Sequence, residues 1–143
     1  MDNYHIHPLE PLRFPLVARF YKTYYPPGKP KKDEHIWVVD GPSGLCGAVR
    51  FQQRQEYQLL TGMLLHPQLR GSGLSHQLLD AVRPLLAQRP SFCLAFRPLT
   101  TLYVQHGFNS VDTQALPEEL AMRYQSYCHS GKDLVAMQYT PKA

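Results

Sequence analysis

The run Gln68-Leu69-Arg70-Gly71-Ser72-Gly73-Leu74-Ser75 is where this chain is equipped for chemistry. Two glycines separated by one residue permit a sharp turn whose consecutive N–H groups point inward, and the amphipathic stretch behind them reads as a helix contributing its positive end. Such a turn seats phosphates, at roughly 0.3–1 kcal/mol per anionic group from the dipole alone when exposed. Other glycine-loop chemistries fail on spacing. A nucleotide P-loop needs a Gly-Lys-Ser/Thr ending that no glycine here supplies, and a dinucleotide fingerprint would need glycine where His76 stands.

The elements that must position this turn follow from the pattern on either side. Residues 57–65 form an apolar strand running into it, and Leu74, Leu78, Val82, Leu85 and Leu86 mark the buried face of the helix leaving it, with Pro84 set to kink or end that helix. Upstream, residues 4–7 alternate as an edge strand closed by Pro8. Leu12, Leu16 and Phe20, with Val17 alongside, place a first helix over residues 9–23, and the proline-rich, lysine-rich stretch 24–34 is a loop. Residues 35–40 and 45–54 read as a hairpin. Downstream come a strand over 91–96 reached by a parallel crossover, a short helix from Pro98 stopped by Gly107, a strand over 108–111, a helix over 117–129 and a last strand over 134–139.

Composition bounds the rest. A chain of 143 residues, 43% hydrophobic and 18% charged, is expected to form a single α/β domain over residues 1–143 rather than a disordered or fibrous chain. No apolar run approaches the roughly 20 residues of a membrane helix and the N-terminus has no signal-peptide pattern, so the expected location is the cytoplasm. Cys46, Cys93 and Cys128 are read as free thiols, and no metal is expected. The charge of +4 suits an anionic ligand without demanding one, and the lysines of 29–32 are too few for a surface that tracks nucleic acid. Neither a membrane nor a nucleic-acid partner is expected; a second copy of the chain is left open.

Gln68 to Gly73 matches the signature Q/R-x-x-G-x-G/A, and Leu102-Tyr103-Val104-Gln105-His106-Gly107-Phe108 matches L-Y-x-x-x-G-F. With the order of elements above, these two segments make the chain resemble the GNAT superfamily of acyl-CoA N-acyltransferases over roughly residues 4–108. The resemblance implies a mixed, mostly antiparallel sheet, splayed between parallel middle strands 57–65 and 91–96 and flanked by helices. It implies acetyl-CoA as acyl donor, with pyrophosphate on the amides of Arg70, Gly71, Ser72, Gly73, Leu74 and Ser75 and the Ser75 hydroxyl in reach. The pantetheine arm would lie between the middle strands, and the Leu65 N–H would polarise the thioester carbonyl.

By the same resemblance Tyr103 assists the departing thiolate. A phenol of pKa about 10 giving its proton to a thiolate of about 8.5 is uphill by roughly 2 kcal/mol, so partial donation through a hydrogen bond is the expectation, with a core tyrosine as the alternative. Many relatives carry a glutamate where Thr61 stands, and threonine takes no proton at neutral pH. Glu56, at the start of that strand, is either a base acting through water or a solvated strand end, and His66 reads as structural. Tyr24, Tyr25, Thr61 and Arg97 are the candidate acceptor contacts, with the helix 117–129 as a wall. The expected activity is acetyl transfer to a primary amine of a small molecule or peptide by direct attack in a ternary complex. A non-catalytic acyl-CoA-binding regulator of the same fold is the alternative.

Overall fold

In the computed structural model residues 3–141 are described. Seven strands form a sheet of order β1-β2-β3-β4-β5-β7-β6, mostly antiparallel with one parallel pair and flanked by helices. The chain divides into two compact units. One holds the described residues up to Gln53 together with Leu60–Arg83; the other holds Arg54–Leu59 together with the described residues from Pro84 onward.

In the first unit, β1 (His5–Pro8) pairs with β2 (His35–Gly41), which pairs with β3 (Gly44–Gln53), both antiparallel, with a register shift at Val39/Asp40. Helix α1 (Phe14–Tyr24) begins one residue before Pro15, where a missing N–H costs no helical hydrogen bond. Its buried face is Val17, Phe20 and Tyr21, which close on Ile36, Val38 and Ala48. Helical spacing predicts Leu12 and Leu16 on that face. Leu12 instead lies in a short 3-10 turn over Pro11–Arg13 and is 95% exposed, and Leu16 is also exposed. Two prolines four apart hold the tighter turn and start the α-helix later, which rotates the buried stripe onto Val17, Phe20 and Tyr21.

Strand β4 (Gln58–Leu65) has its end in this unit, followed by a 3-10 turn over Pro67–Leu69 and then α2 (Leu74–Leu86). Leu74, Leu78 and Val82 are at most 3% exposed, as their spacing predicts, and Leu79, which the pattern did not mark, is buried as well. Pro84 does not end α2, which runs on to Leu86, but the boundary between the units passes at Arg83/Pro84.

In the second unit, β5 (Ser91–Phe96) pairs antiparallel with β7 (Leu134–Tyr139), and β7 with β6 (Phe108–Ser110). Helix α3 (Thr100–Gln105) ends at Gly107, whose φ of +94° is the left-handed stop expected there. Helix α4 (Glu118–His129), with Glu118 and Glu119 in its first turn, packs Leu120, Ala121 and Tyr124 on a cluster with Tyr57, Leu59, Phe92 and Leu116. The Gln58 amide spans this unit internally, donating to Leu85 O at 2.8 Å and to Ser91 Oγ at 2.9 Å.

Candidate functional site

The glycine turn is built from its hydrogen bonds outward. His66 precedes Pro67, and its Nδ1 accepts from the Gln68 N–H at 3.1 Å, capping the short 3-10 turn. Gly71 and Gly73 then take φ of +80° and +89°, a backbone that only glycine adopts cheaply. A Cβ built on either would meet nothing within 4 Å, so no packing inside the protein forbids a side chain there. Gly44 and Gly131 are left-handed and open in the same way, so what sets this turn apart is where its amides go.

The amides divide into two sets. Arg70 N donates to Pro67 O at 3.4 Å, Ser72 N to Leu69 O at 3.1 Å and Leu74 N to Ser72 Oγ at 3.4 Å. Gly71, Gly73 and Ser75 have no protein acceptor for their N–H groups among the described residues. Three free donors, spaced by two, therefore open at the N-terminus of a 13-residue helix, where the dipole favours an anion. The chemistry available is recognition of a phosphate group through main-chain N–H.

Leu65 is 8% exposed and its side chain packs toward Gly47 of β3. His66 N donates to Cys46 O on β3 at 2.8 Å. Successive amides of a strand point to opposite edges, so the Leu65 N–H leaves on the edge away from β3. Three residues earlier Gly62 interrupts β4 with φ +63°. Its carbonyl accepts the Tyr21 hydroxyl at 2.5 Å, and an added Cβ would lie 2.9 Å from Arg50 Nη1. Arg50, 5% exposed, has its Cζ 5.3 Å from the Tyr21 ring centroid and is held by Glu34 through Nε at 2.8 Å and Nη2 at 3.0 Å. Burial alone would raise the Glu34 carboxyl, but hydrogen bonds from Arg50 and the Lys31 N–H hold it below its ordinary value. Burial pushes the Tyr21 phenol well above its ordinary value, so the group stays a donor.

Thr61, half-buried, precedes this kink. Tyr24, at the end of α1, meets His66 edge to face at 4.9 Å between ring centroids. Both line a cavity of about 400 Å³ with Tyr4, Cys46, Gln68 and Leu69, which ends at the β2–β3 turn. Tyr25 is 37% exposed and does not line it. Burial raises the Cys46 thiol, and burial raises Cys93 further, so neither is poised as a thiolate. All three cysteines are free, as expected.

In the second unit, Tyr103 is 5% exposed on α3 and meets Phe108 edge to face at 5.5 Å, which in turn meets Tyr139 at 5.6 Å. Arg97 pairs with Asp133 through Nε at 2.9 Å, both side chains exposed, and its N–H donates to Asp133 O at 3.1 Å. Glu56 is exposed in the bend before β4, where Arg54 N donates to Tyr57 O at 2.9 Å.

The first unit thus brings together Leu65 and the run from Arg70 to Ser75, with Tyr24 and Thr61 in the same unit; Glu56, Arg97 and Tyr103 belong to the second. The sequence reading missed the Tyr21–Gly62 contact and the Glu34–Arg50 pair. The available signal was an arginine inside the apolar run Ala48-Val49-Arg50-Phe51, which a strand tolerates only when the charge is partnered.

No curated protein is detectably similar to the chain in sequence. Solved structures share its fold. Rv2747 from Mycobacterium tuberculosis, in complex with CoA and NLQ, superposes with a TM-score of 0.73 at 15% identity over 96% of this chain and 99% of its own. Arabidopsis thaliana Naa50, in complex with the bisubstrate analogue CoA-Ac-MVNAL, gives 0.68 at 10% identity over 97% and 99%. N-acetylglutamate synthase from Neisseria gonorrhoeae, complexed with coenzyme A and N-acetyl-glutamate, gives 0.69 at 14% identity over 95% of this chain, which spans only 34% of that enzyme. A sequence profile of the acetyltransferase (GNAT) domain matches residues 32–110, more than half of the chain, from the loop before β2 through the glycine turn to the end of β6. The chain belongs to the GNAT acetyltransferase family.

Proposed function

We propose that this single domain, residues 1–143, transfers an acetyl group from acetyl-CoA to a primary amine of a small molecule or peptide, in the cytoplasm. The observation that carries the reading is the open left-handed turn at Gly71 and Gly73, with free amides at Gly71, Gly73 and Ser75 on the N-terminus of α2. Arg70, Ser72 and Leu74 complete that turn, and the pyrophosphate of coenzyme A is the anion it would hold. Two structural neighbours support the acceptor class, one complexed with N-acetyl-glutamate and one with a CoA-linked peptide analogue.

The amine nitrogen attacks the thioester carbonyl carbon, the C–S bond breaks, and the nitrogen loses its extra proton to water. The Leu65 N–H polarises that carbonyl, Tyr103 donates a hydrogen bond to the sulfur as charge develops on it, and Glu56 takes the amine proton through water. Attack is direct in this reading, and burial disfavours the thiolate at Cys46 and Cys93. Thr61, Tyr24, Tyr25 and Arg97 contact the acceptor. Among the described residues, the lining of the cavity beside Tyr24 and His66 holds no aspartate, glutamate, lysine or arginine, which suits the uncharged part of that molecule.

Thiol release from acetyl-CoA across a panel of amino acids, aryl amines and short peptides tests the reading, and release with at least one amine is expected. Thr61 standing where many relatives have an acid supports a second reading, a regulator that binds acyl-CoA without turnover. Tight acetyl-CoA binding with no thiol released by any amine would select it.

A further inference from the structure

Gly62 is the one residue inside a described strand interior, rather than at a strand end or turn, with a left-handed backbone, and the side chains that hold it, Tyr21 and Arg50, come from α1 and β3. The Tyr21 hydroxyl is bonded to its carbonyl, the Arg50 guanidinium fills the space a Cβ would take, and Glu34 holds Arg50 in place. Tyr21 lies on α1, in the cluster with Val38 and Ala48, so the Gly62 carbonyl is drawn toward the α1 face of the sheet. All described peptide bonds are trans, and a trans peptide sets its C=O and N–H in opposite directions. The Met63 N–H is therefore turned toward the face away from α1, out of the plane in which a regular strand keeps its amides.

We infer that Tyr21 is a positioning residue: its bond to the Gly62 carbonyl, braced by Arg50 and Glu34, aims the Met63 N–H as a second donor to the acyl carbonyl, in addition to the Leu65 N–H. The inference rests on the acetyl-transfer reading. Tyr21 acts through the peptide and touches no reacting atom. A hydroxyl buried this completely and bonded to a backbone carbonyl fixes one orientation of that peptide, which is what a pre-organised donor requires.

The test is Tyr21→Phe, which removes the hydroxyl and keeps the ring, with Phe20→Leu as a control that loosens the same cluster without touching Gly62. Difference infrared spectra of bound acetyl-CoA, labelled with carbon-13 at the thioester carbonyl, read its polarisation directly. In the wild type the stretch is expected at lower frequency than in solution; Tyr21→Phe should lose about half of that shift or more, and about tenfold in kcat. Its KM for acetyl-CoA and its affinity for coenzyme A, which has no acyl carbonyl, should stay within about twofold of wild type. Phe20→Leu should melt earlier yet keep the wild-type stretch. In the ligand-free protein the Met63 amide resonance should move in Tyr21→Phe and not in Phe20→Leu. A Tyr21→Phe protein with the wild-type stretch and Met63 resonance overturns the inference alone. A wild type that binds no acetyl-CoA, or leaves its carbonyl unshifted, overturns the acetyl-transfer reading and the inference with it.

Discussion

Gly62, at φ +63°, and Gly73, at φ +89°, share a class of backbone, yet a Cβ added at Gly62 would meet Arg50 Nη1 at 2.9 Å while one at Gly73 would meet nothing within 4 Å. At Gly62 the left-handed turn is held by the protein itself, through the Tyr21 hydroxyl and a buried ion pair. At Gly71 and Gly73 it is held by the local run of short bonds from His66 to Ser72, and its outer side is left bare. The difference separates two uses of one conformation. A crowded left-handed glycine shapes a strand, and an open one beside free amides leaves donors and space that the protein does not itself use.

Removing a brace at the crowded site should have the largest effect. Arg50→Ala leaves the Glu34 carboxylate buried without its partner, and a loss of about 3–5 kcal/mol is expected, measured by urea unfolding. Replacing both partners together by apolar residues of similar volume should cost less than either single change, because no orphaned charge remains. A single substitution that proved neutral would show that the pair does not brace the kink.

The glycines themselves sharpen the comparison. Alanine at Gly73 should cost about 1–2 kcal/mol, the conformational strain alone. Alanine at Gly62 adds overpacking against Arg50, so a total of about 2–5 kcal/mol is expected. In binding the order reverses. Gly73→Arg should abolish coenzyme A binding by filling the turn while circular dichroism stays that of the wild type, and unchanged affinity by calorimetry would sink the phosphate assignment.

The two sites also differ in how far the sequence disclosed them. The open turn was legible because everything that makes it is local: a strand, His66-Pro67, two glycines and an apolar helix within thirty residues. The hairpin of β2 and β3 and the stop at Gly107 were legible for the same reason. The crowded site was not, because Leu59-Leu60-Thr61-Gly62-Met63-Leu64-Leu65 reads as an ordinary apolar strand, and its kink depends on residues 21, 34 and 50, brought there only by the fold. Leu12 and Leu16 misled for a related reason: helical spacing was present, but the prolines at 11 and 15 set which residues the helix contains. The surroundings of Glu56 and Arg97 were not legible either: Glu56 sits in an exposed bend, and Arg97 pairs with Asp133, 36 residues further along the chain.

Tyr103 lies outside this contrast, on α3 of the second unit, and tests whether the reaction needs more than the glycine turn and the β4 amides. Tyr103→Phe is expected to lower kcat about tenfold, with coenzyme A affinity changed by less than about twofold, since a bond to developing thiolate charge exists only late in the reaction. Equal losses in kcat and in affinity, or none, would return Tyr103 to the core it shares with Phe108. Leaving-group chemistry offers an independent check, because an acyl donor with a more acidic thiol should narrow the gap between Tyr103→Phe and wild type.

The smallest effect distinguishes the buried pair at Gly62 from the half-exposed one at the sheet edge. Asp40 receives Arg13 through Nη1 at 2.8 Å and Nη2 at 2.6 Å, and His7 Nε2 lies 2.6 Å from it, tying β1 and the start of α1 to β2. The Arg13 hydrogen bonds outweigh burial and hold the Asp40 carboxyl at about 2, below its ordinary 3.8. The folded state thus binds this proton less readily than the unfolded chain, so the stabilisation is complete above the ordinary value and is lost as pH falls from about 4 toward 2. With the carboxylate partly in water, about 1–2 kcal/mol is at stake. Asp40→Asn should flatten that part of the stability profile in urea unfolding between pH 6 and 2.5. The slope that persists in Asp40→Asn is then expected to shrink further when Glu34→Gln is added, because the Glu34 carboxyl is also held low and titrates with the same sign.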